Sequence, residues 1–122
     1  MEDCKLGLVE AKFADIIWEN APMSTRALVE LCEKQLNWKR TTTYTVLKKL
    51  CERGIFKTEA SMVTVLVEKA DFYAMQGERL IDESYGGSLP AFLAAFVSRK
   101  RLSEEEIAEI RRMIDAYEEG EK

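Results

Sequence analysis

The chain has 122 residues, of which 47% are hydrophobic and 33% charged, and its formal net charge is −4. These values fit one compact domain, or a small domain with an appendage, and they exclude global disorder. No apolar run approaches the roughly 18–20 residues that span a bilayer. The acidic start, Met1-Glu2-Asp3-Cys4-Lys5, lacks the features of a signal peptide. We therefore expect a cytoplasmic protein.

The residue types present exclude most catalytic and metal-binding chemistry. Histidine, the commonest general base and a frequent zinc ligand, is absent. No nucleophile–base pair and no metal-ligand cluster is visible, so we predict neither an enzyme nor a bound metal or cofactor. Cys4, Cys32 and Cys51 are widely spaced, with no C-x-x-C pair. Because Cys32 and Cys51 lie among leucines in helical patterns, we interpret them as small hydrophobic core residues, and a redox-sensing role is the alternative.

Apolar spacing predicts the first helix, and end signals predict the next two. Leu8 to Asn20 forms the first helix, with a predicted core stripe of Val9, Phe13, Ile16 and Ile17 and with Trp18 beside it. Ser24 is a suitable N-cap for a second helix from Thr25 to about Gln35, and Met23 adds a short strand before it. The third helix is capped by Thr41 or a neighbour and ends at Gly54.

Two β-rich runs, Ile55 to Glu59 and Met62 to Glu68, come next, with Ala60-Ser61 as a tight turn between them. Three helices followed by a hairpin predict a winged helix-turn-helix, in which the hairpin is the wing. We place this DNA-binding domain at residues 1–70 and a helical dimerisation region at residues 71–122. The predicted fold class is mainly α with a small β-hairpin wing.

The stretch from Lys39 to Lys57 is basic, although the whole chain is acidic. It holds six Lys/Arg residues against Glu52 alone, so its net charge is 6 − 1 = +5. Val46, Leu47 and Leu50 form the apolar side of the predicted third helix, and the opposite face is basic and rich in hydroxyl groups. A positive helix on an acidic protein is typical of a helix that binds nucleic acid in a groove.

The candidate DNA contacts surround this helix. Phosphate neutralisation is expected from Arg26, Lys39, Arg40, Lys48, Lys49 and Arg53. Base reading is expected from side chains that can hydrogen-bond to base edges, namely Thr41, Thr42, Tyr44 and Thr45. Thr43 is predicted to face inward. The alternative for each residue is an ordinary solvated charge, a helix cap or a packing contact.

Residues 71–122 carry 7 Lys/Arg and 12 Asp/Glu, a net charge of 7 − 12 = −5, and predict three further helices. Asp71 caps or opens the first, from Phe72 to Tyr85. Ser88 caps the apolar helix L-P-A-F-L-A-A-F-V, and Ser103 with Glu106 forms a capping box for the last. Such short helices cannot bury themselves alone, so we expect a homodimer, which also suits the reading of two half-sites.

The predicted dimer contacts are Phe92, Leu93, Phe96, Ile110, Met113, Ile114 and Tyr117. An alternative is that these residues cover the winged helix within one chain. Isologous dimers are the commonest oligomers, which favours the homodimer.

Six segments of the chain suggest a family. In the front half they are A-K-F-A-D-I-I-W (Ala11 to Trp18), S-T-R-A-L-V-E-L (Ser24 to Leu31) and W-K-R-T-T-T-Y-T-V-L-K-K-L-C-E-R-G (Trp38 to Gly54). In the rear half they are Y-G-G-S-L (Tyr85 to Leu89), F-L-A-A-F-V (Phe92 to Val97) and L-S-E-E-E-I-A-E-I (Leu102 to Ile110). Together they resemble the penicillinase-repressor (BlaI/MecI-type) family of bacterial winged-helix repressors. The resemblance implies a homodimeric transcriptional repressor that binds a palindromic operator through the third helices and dimerises through the C-terminal helices.

The chain departs from the family pattern in three places. Some members are cleaved at an Asn-Phe bond in the short helix after a membrane sensor is triggered; Ala95-Phe96 stands here, which argues against a membrane sensor protease as a partner. Copper-responsive relatives carry C-terminal cysteines, whereas this chain has none after Cys51. The turn at Glu59-Ala60-Ser61 lacks the basic or glycine residues that relatives often place at the wing tip, so we expect weaker wing contacts with phosphate.

Two other classes of function stay open from the sequence alone. The acidic total charge and the short wing favour a winged-helix module that binds protein without sequence-specific DNA binding. An enzyme is the weakest alternative, because no catalytic constellation is present.

Overall fold

A computed structural model of the chain describes residues 6–121, so the acidic start and Cys4 lie outside the described residues. In chain order the elements are α1 (Leu8–Asn20), β1 (Met23–Ser24), α2 (Thr25–Leu36), α3 (Arg40–Glu52), β2 (Phe56–Glu59), β3 (Met62–Val65), α4 (Lys69–Ser84), α5 (Leu89–Arg99) and α6 (Glu104–Glu121). The three strands form one antiparallel sheet in the order β1-β3-β2. This order confirms the predicted mainly α fold with a small hairpin wing.

The chain packs as two compact units, Met1–Leu80 and Ile81–Lys122. The first contains the three helices and the hairpin of the winged helix-turn-helix, together with most of α4. The second contains the end of α4 with α5 and α6. In the part of the chain that is described, no helix is both long and apolar enough to cross a bilayer.

The predicted ends of the second and third helices are mostly confirmed. The Ser24 hydroxyl oxygen accepts a hydrogen bond from the backbone N–H of Ala27 at 3.0 Å, as an N-cap does. At the end of α3, Gly54 has φ +83°, and the N–H groups of Gly54 and Ile55 donate to the carbonyls of Cys51 and Leu50. This pair of bonds is a Schellman motif, which needs a left-handed residue and therefore favours glycine.

The predicted cap at the start of α3 is wrong. The helix begins at Arg40, its N-cap is Lys39, and no side chain makes a capping hydrogen bond there. The Lys39 carbonyl accepts the first helical bond from the N–H of Thr43 at 3.1 Å. Thr41 lies inside the first turn, and Thr41, like Arg40, is exposed, so solvent can satisfy the free N–H groups of that turn.

The second strand of the hairpin, β3, is shorter than predicted, and the fourth helix, α4, starts earlier than predicted. β3 ends at Val65 because the N–H groups of Leu66 and Val67 both donate to the Ile55 carbonyl instead of continuing the ladder. α4 begins at Lys69, whose ammonium lies 2.9 Å from the Asp15 carboxylate on α1. Asp71 therefore stands in the first turn of α4 and does not cap it.

The turns and caps of the hairpin and rear unit agree with the sequence. Ala60 and Ser61 have φ +53° and +63°, the conformation of a two-residue hairpin turn without glycine. The Ser88 hydroxyl accepts from the N–H of Ala91 at 3.0 Å. Ser103 and Glu106 form the predicted capping box, in which each backbone N–H donates to the other side chain at 3.0 Å.

The core of the first unit lies where α1, α2, α3 and the sheet meet. Its buried residues are Phe13, Ala14, Ile16, Ile17, Met23, Leu28, Cys32, Thr43, Leu47, Leu50, Ile55, Phe56, Val63 and Phe72. Burial confirms the interpretation of Cys32 as a core residue. Cys51 is half-buried against the core, with its sulfur 3.4 Å from the Thr58 hydroxyl.

One predicted core residue is exposed. Val9 has the correct helical spacing, but both it and Leu8 are exposed, so the first turn of α1 extends past its packing partners. Further along the helix, Trp18 packs against the core and its indole N–H donates to the Val67 carbonyl at 3.0 Å. This bond ties α1 to the chain that leaves the wing.

We predict that Leu28→Ala lowers the free energy of unfolding by about 2–5 kcal/mol, because a fully buried leucine leaves a cavity. Leu8→Ala is the matched control at an exposed leucine, and it should change the free energy of unfolding by less than about 0.5 kcal/mol. Urea denaturation followed by circular dichroism measures both values. Equal effects of the two substitutions would contradict the location of the core.

Candidate nucleic-acid interface

The burial pattern of α3 fixes which of its faces meets solvent. Thr43, Leu47 and Leu50 are buried against the first unit, which confirms that Thr43 faces inward. The opposite face exposes Arg40, Thr41, Thr42, Tyr44, Thr45, Lys48 and Lys49. Lys39 and Arg26 are exposed as well, whereas Arg53 is half-buried. Nine of the ten predicted DNA contacts are therefore accessible to a ligand that approaches α3.

The start of α3 forms a polar groove with the start of α2 and the wing turn. The N–H of Thr25 donates to the Ser61 carbonyl at 2.9 Å, which holds the wing turn against α2. The groove has a volume of about 580 Å³, and its lining residues are Ser24, Thr25, Arg26, Val29, Glu30, Arg40, Tyr44 and Ser61. Arg26 and Arg40 thus face one space from two helices.

Tyr44 is held in this groove by two neighbours. The guanidinium carbon of Arg40 lies 5.8 Å from the centroid of the Tyr44 ring, within cation–π range. A hydrogen bond with the Thr25 side chain, helped by the charge of Arg40, lowers the pKa of the Tyr44 hydroxyl. The hydroxyl is therefore placed beside the start of α2.

The threonines of α3 differ in how their hydroxyl groups are used. The Thr45 hydroxyl donates to the Thr41 carbonyl at 2.9 Å, and the Thr43 hydroxyl is 3.4 Å from the Lys39 carbonyl. Thr45 is exposed, so its oxygen can still accept a hydrogen bond from outside the helix. Its donor is already occupied within the helix.

The C-terminal half of α3 contacts α1 through Glu10. The Lys49 ammonium lies 2.6 Å from one oxygen of the Glu10 carboxylate, and Arg53 Nη1 lies 4.0 Å from the other. The relative side-chain exposures are 58% for Lys49, 21% for Glu10 and 14% for Arg53. Lys49 and Arg53 therefore differ from the other predicted contacts, because both approach a carboxylate of the same unit.

Glu10 is a functional candidate that the sequence did not reveal. Its carboxylate accepts from the backbone N–H of Gly7 at 3.1 Å, in the position of a capping box. The hydrogen bond from Lys49 is the main cause that lowers the Glu10 pKa. The hydrogen bond from the Gly7 N–H and the charges of Lys49 and Arg53 lower it further. Only the three-residue spacing from Gly7 was visible in the sequence; the pairing across 39 residues was not.

The second unit carries exposed apolar side chains on two helices. No residue of α5 is buried, although Phe92 packs edge-to-face on Tyr85 with ring centroids 5.4 Å apart. On α6, the relative exposures are 66% for Met113, 53% for Ile114 and 68% for Tyr117. Leu93 and Phe96 are exposed, and Phe92 and Ile110 are half-buried. Exposed large apolar side chains are candidates for contact with a partner.

A winged helix-turn-helix with a basic, hydroxyl-rich face on its third helix defines a protein of the DNA-binding winged-helix class. The chain belongs to the penicillinase repressor family, whose family model matches residues 6–116. This confirms the resemblance found in the sequence. The family consists of transcriptional repressors that bind DNA, which are not enzymes.

Individual relatives are similar at low identity but over most of their length. The methicillin resistance regulatory protein MecI of Staphylococcus aureus is 24% identical over 115 residues, covering 91% of this chain and 94% of the relative. The penicillinase repressor of Bacillus licheniformis is 20% identical over 117 residues, covering 93% and 91%. An uncharacterised 16.5 kDa protein of Latilactobacillus sakei is 23% identical over 105 residues, covering 83% and 72%.

We predict that the Glu10 contacts add about 0.2–1 kcal/mol to the free energy of unfolding at neutral pH. The Glu10 pKa is lowered from 4.5 in the folded state, so the contribution is complete above pH 4.5. It is lost as the pH falls through the lower, folded-state pKa. The difference in unfolding free energy between the wild type and Glu10→Gln, measured by urea denaturation across this range, should shrink with acidification. A difference that stays constant or grows in acid would contradict the ion pair.

Proposed function

We propose that the chain represses transcription in the cytoplasm by binding a palindromic operator as a homodimer, with α3 of each subunit in the major groove. The observation that carries this proposal is the exposed face of α3, which is basic and hydroxyl-rich while Thr43, Leu47 and Leu50 fix the helix from behind. We assign DNA binding to residues 1–70 and dimerisation to residues 71–122.

Phosphate contacts in this proposal come first from Arg26, Lys39, Arg40 and Lys48. These side chains are exposed, and the ion pairs found among the described residues do not involve them. Arg26 and Arg40 share the groove beside the wing turn, so one phosphate can meet both. Lys49 and Arg53 stay candidates, but contact with DNA would compete with their approach to Glu10.

Base reading is assigned to the N-terminal half of α3. Thr41, Thr42 and Thr45 offer hydroxyl and methyl groups, which suit base edges and the thymine methyl group respectively. Tyr44 lines the groove together with Arg26 and Arg40, so its hydroxyl can serve either a base or a phosphate. The wing contributes little, because its short turn carries Glu59, Ala60 and Ser61.

Release by a membrane sensor protease is not part of the proposed function. Ala95 precedes Phe96 in α5, where the cleaved relatives have asparagine. The Ala95 carbonyl accepts a hydrogen bond from the Ser98 hydroxyl at 2.6 Å within the helix.

The DNA contacts predict a steep dependence of affinity on salt. Four phosphate contacts per subunit, or eight per dimer, give a slope of log K against log salt of about −7. Fluorescence anisotropy with a duplex from the region upstream of the coding sequence measures this slope. A dissociation constant that does not change with salt would contradict phosphate binding.

A matched pair of variants on α2 tests where the phosphates lie. Arg26→Ala should reduce the magnitude of the slope by about 0.9 per subunit. Lys34→Ala removes the same charge from an exposed site about 12 Å further along the same helix, and it should leave the slope unchanged. Equal changes for both variants would contradict a contact at the start of α2.

Dimerisation through the second unit predicts a selective effect of charge on α6. Ile114→Glu should shift the chain from dimer to monomer in sedimentation velocity, because a buried, unpaired carboxylate disfavours an apolar interface. Ala108→Glu introduces the same charge on the same helix but away from the face of Met113, Ile114 and Tyr117, and it should stay dimeric. A wild-type chain that is monomeric, or an Ile114→Glu variant that stays dimeric, would contradict this interface.

A further inference from the structure

Two adjacent lysines of α3 have different surroundings. Lys48 is exposed, and no carboxylate forms an ion pair with it in the described part of the chain. Lys49, rotated by about 100° around the helix axis, lies 2.6 Å from Glu10. Arg53, one turn further on, approaches the same carboxylate at 4.0 Å. The basic residues of α3 are thus divided between solvent and the protein itself.

The position of Glu10 is fixed independently of the lysine. Its carboxylate accepts the N–H of Gly7 at the start of α1, so the side chain does not have to be ordered by Lys49. Because little conformational freedom is lost on pairing, the contact is more favourable than an ion pair between two mobile side chains. A third cation of the basic stretch is also paired: the Lys57 ammonium, beyond the end of α3, lies 3.0 Å from the Glu59 carboxylate.

We infer that Glu10 is a positioning residue that withholds Lys49 and Arg53 from DNA, so that phosphate binding around α3 is left to Lys39, Arg40 and Lys48. This inference rests on the proposed DNA binding. A phosphate that approaches Lys49 must displace or oppose a fixed carboxylate of the same charge sign. The two cations and Glu10 together present a charge of 2 − 1 = +1. Lys39, Arg40 and Lys48, in contrast, form no ion pair with a carboxylate among the described residues.

The consequence is a lower affinity for DNA and an uneven distribution of accessible positive charge on α3. The sequence gives the stretch from Lys39 to Lys57 a net charge of +5, but half of its six cations lie close to carboxylates of the same unit. The remaining three lie at Lys39, Arg40 and Lys48, nearer to the threonines that are assigned to base reading. Glu10 therefore limits sequence-independent binding while leaving the reading end of α3 available.

The test is a salt series with a random-sequence DNA duplex, because phosphate contacts do not depend on base sequence. Fluorescence anisotropy gives the slope of log K against log salt for the full chain and five variants. They are Lys48→Ala, Lys49→Ala, Glu10→Gln, Glu10→Gln with Lys49→Ala, and Glu19→Gln. Glutamine at position 10 can still accept the hydrogen bond from the Gly7 N–H. Glu19→Gln removes one negative charge from an exposed site at the other end of α1.

The inference expects a different change of slope for each kind of variant, and the values below are given per subunit. Lys48→Ala reduces the magnitude of the slope by about 0.9, whereas Lys49→Ala changes it by less than about a third of that amount. Glu10→Gln increases the magnitude by about 0.9–1.8 and strengthens binding at low salt, since one or two cations are released. Adding Lys49→Ala to Glu10→Gln removes the part due to Lys49, and Glu19→Gln behaves as the wild type.

Other results separate the failure of the inference from that of the proposed function. If Lys48→Ala and Lys49→Ala reduce the slope equally and Glu10→Gln has no effect, Glu10 does not withhold Lys49, although α3 still binds DNA. If Glu19→Gln strengthens binding as much as Glu10→Gln does, the effect comes from the net charge of the protein and the inference is wrong. If the wild type binds no duplex at any salt concentration, the proposed function is wrong and the inference falls with it.

Discussion

The direction in which the basic face of α3 points depends on the buried residues on the opposite side of the helix. Thr43, Leu47 and Leu50 fix the rotation of this helix about its own axis, and a rotation of one residue, about 100°, would remove the reading face from solvent. The Schellman motif at Gly54 fixes the end of the helix and directs the chain into Phe56, the buried first residue of β2. The position of the wing and the direction of the basic face therefore have a common origin.

Electrostatics adds a second constraint to this geometry. The net charge of a sequence segment does not state how much of that charge a ligand meets. On α3, the cations at the N-terminal end and Lys48 face solvent or the groove beside the wing turn, whereas Lys49 and Arg53 approach Glu10. A helix that appears uniformly basic in sequence is thus polarised in the fold, with its accessible charge next to its hydroxyl groups.

Apart from the cap at the start of α3, features controlled by local sequence were predicted well. The caps at Ser24, Ser88 and Ser103 and the glycine at position 54 act within one turn of chain, so their residue types were sufficient. The start of α4 was misplaced, because Lys69 is tied to Asp15 across the unit. Val9 was misassigned because helical spacing gives the direction of a side chain but not how far the neighbouring helices extend.

The candidate site shows the same limit. Exposure of α3 followed from the apolar stripe, so nine of the ten predicted contacts were found on accessible surface. Glu10 could not be found, because the packing of α1 against the end of α3 is a long-range contact. The groove shared by Arg26, Arg40 and Ser61 was missed for the same reason, since it joins three elements that are separate in sequence.

The most direct test of the central claim is an NMR titration of the isotope-labelled chain with the upstream duplex. If the N-terminal half of α3 is the reading end, the largest amide shift changes should occur at Arg26, from Arg40 to Thr45, and at Ser61. Amides near Glu10 and those of α6 should change little. Changes that are largest along α6, or that are uniform along α3 as far as Arg53, would contradict the claim.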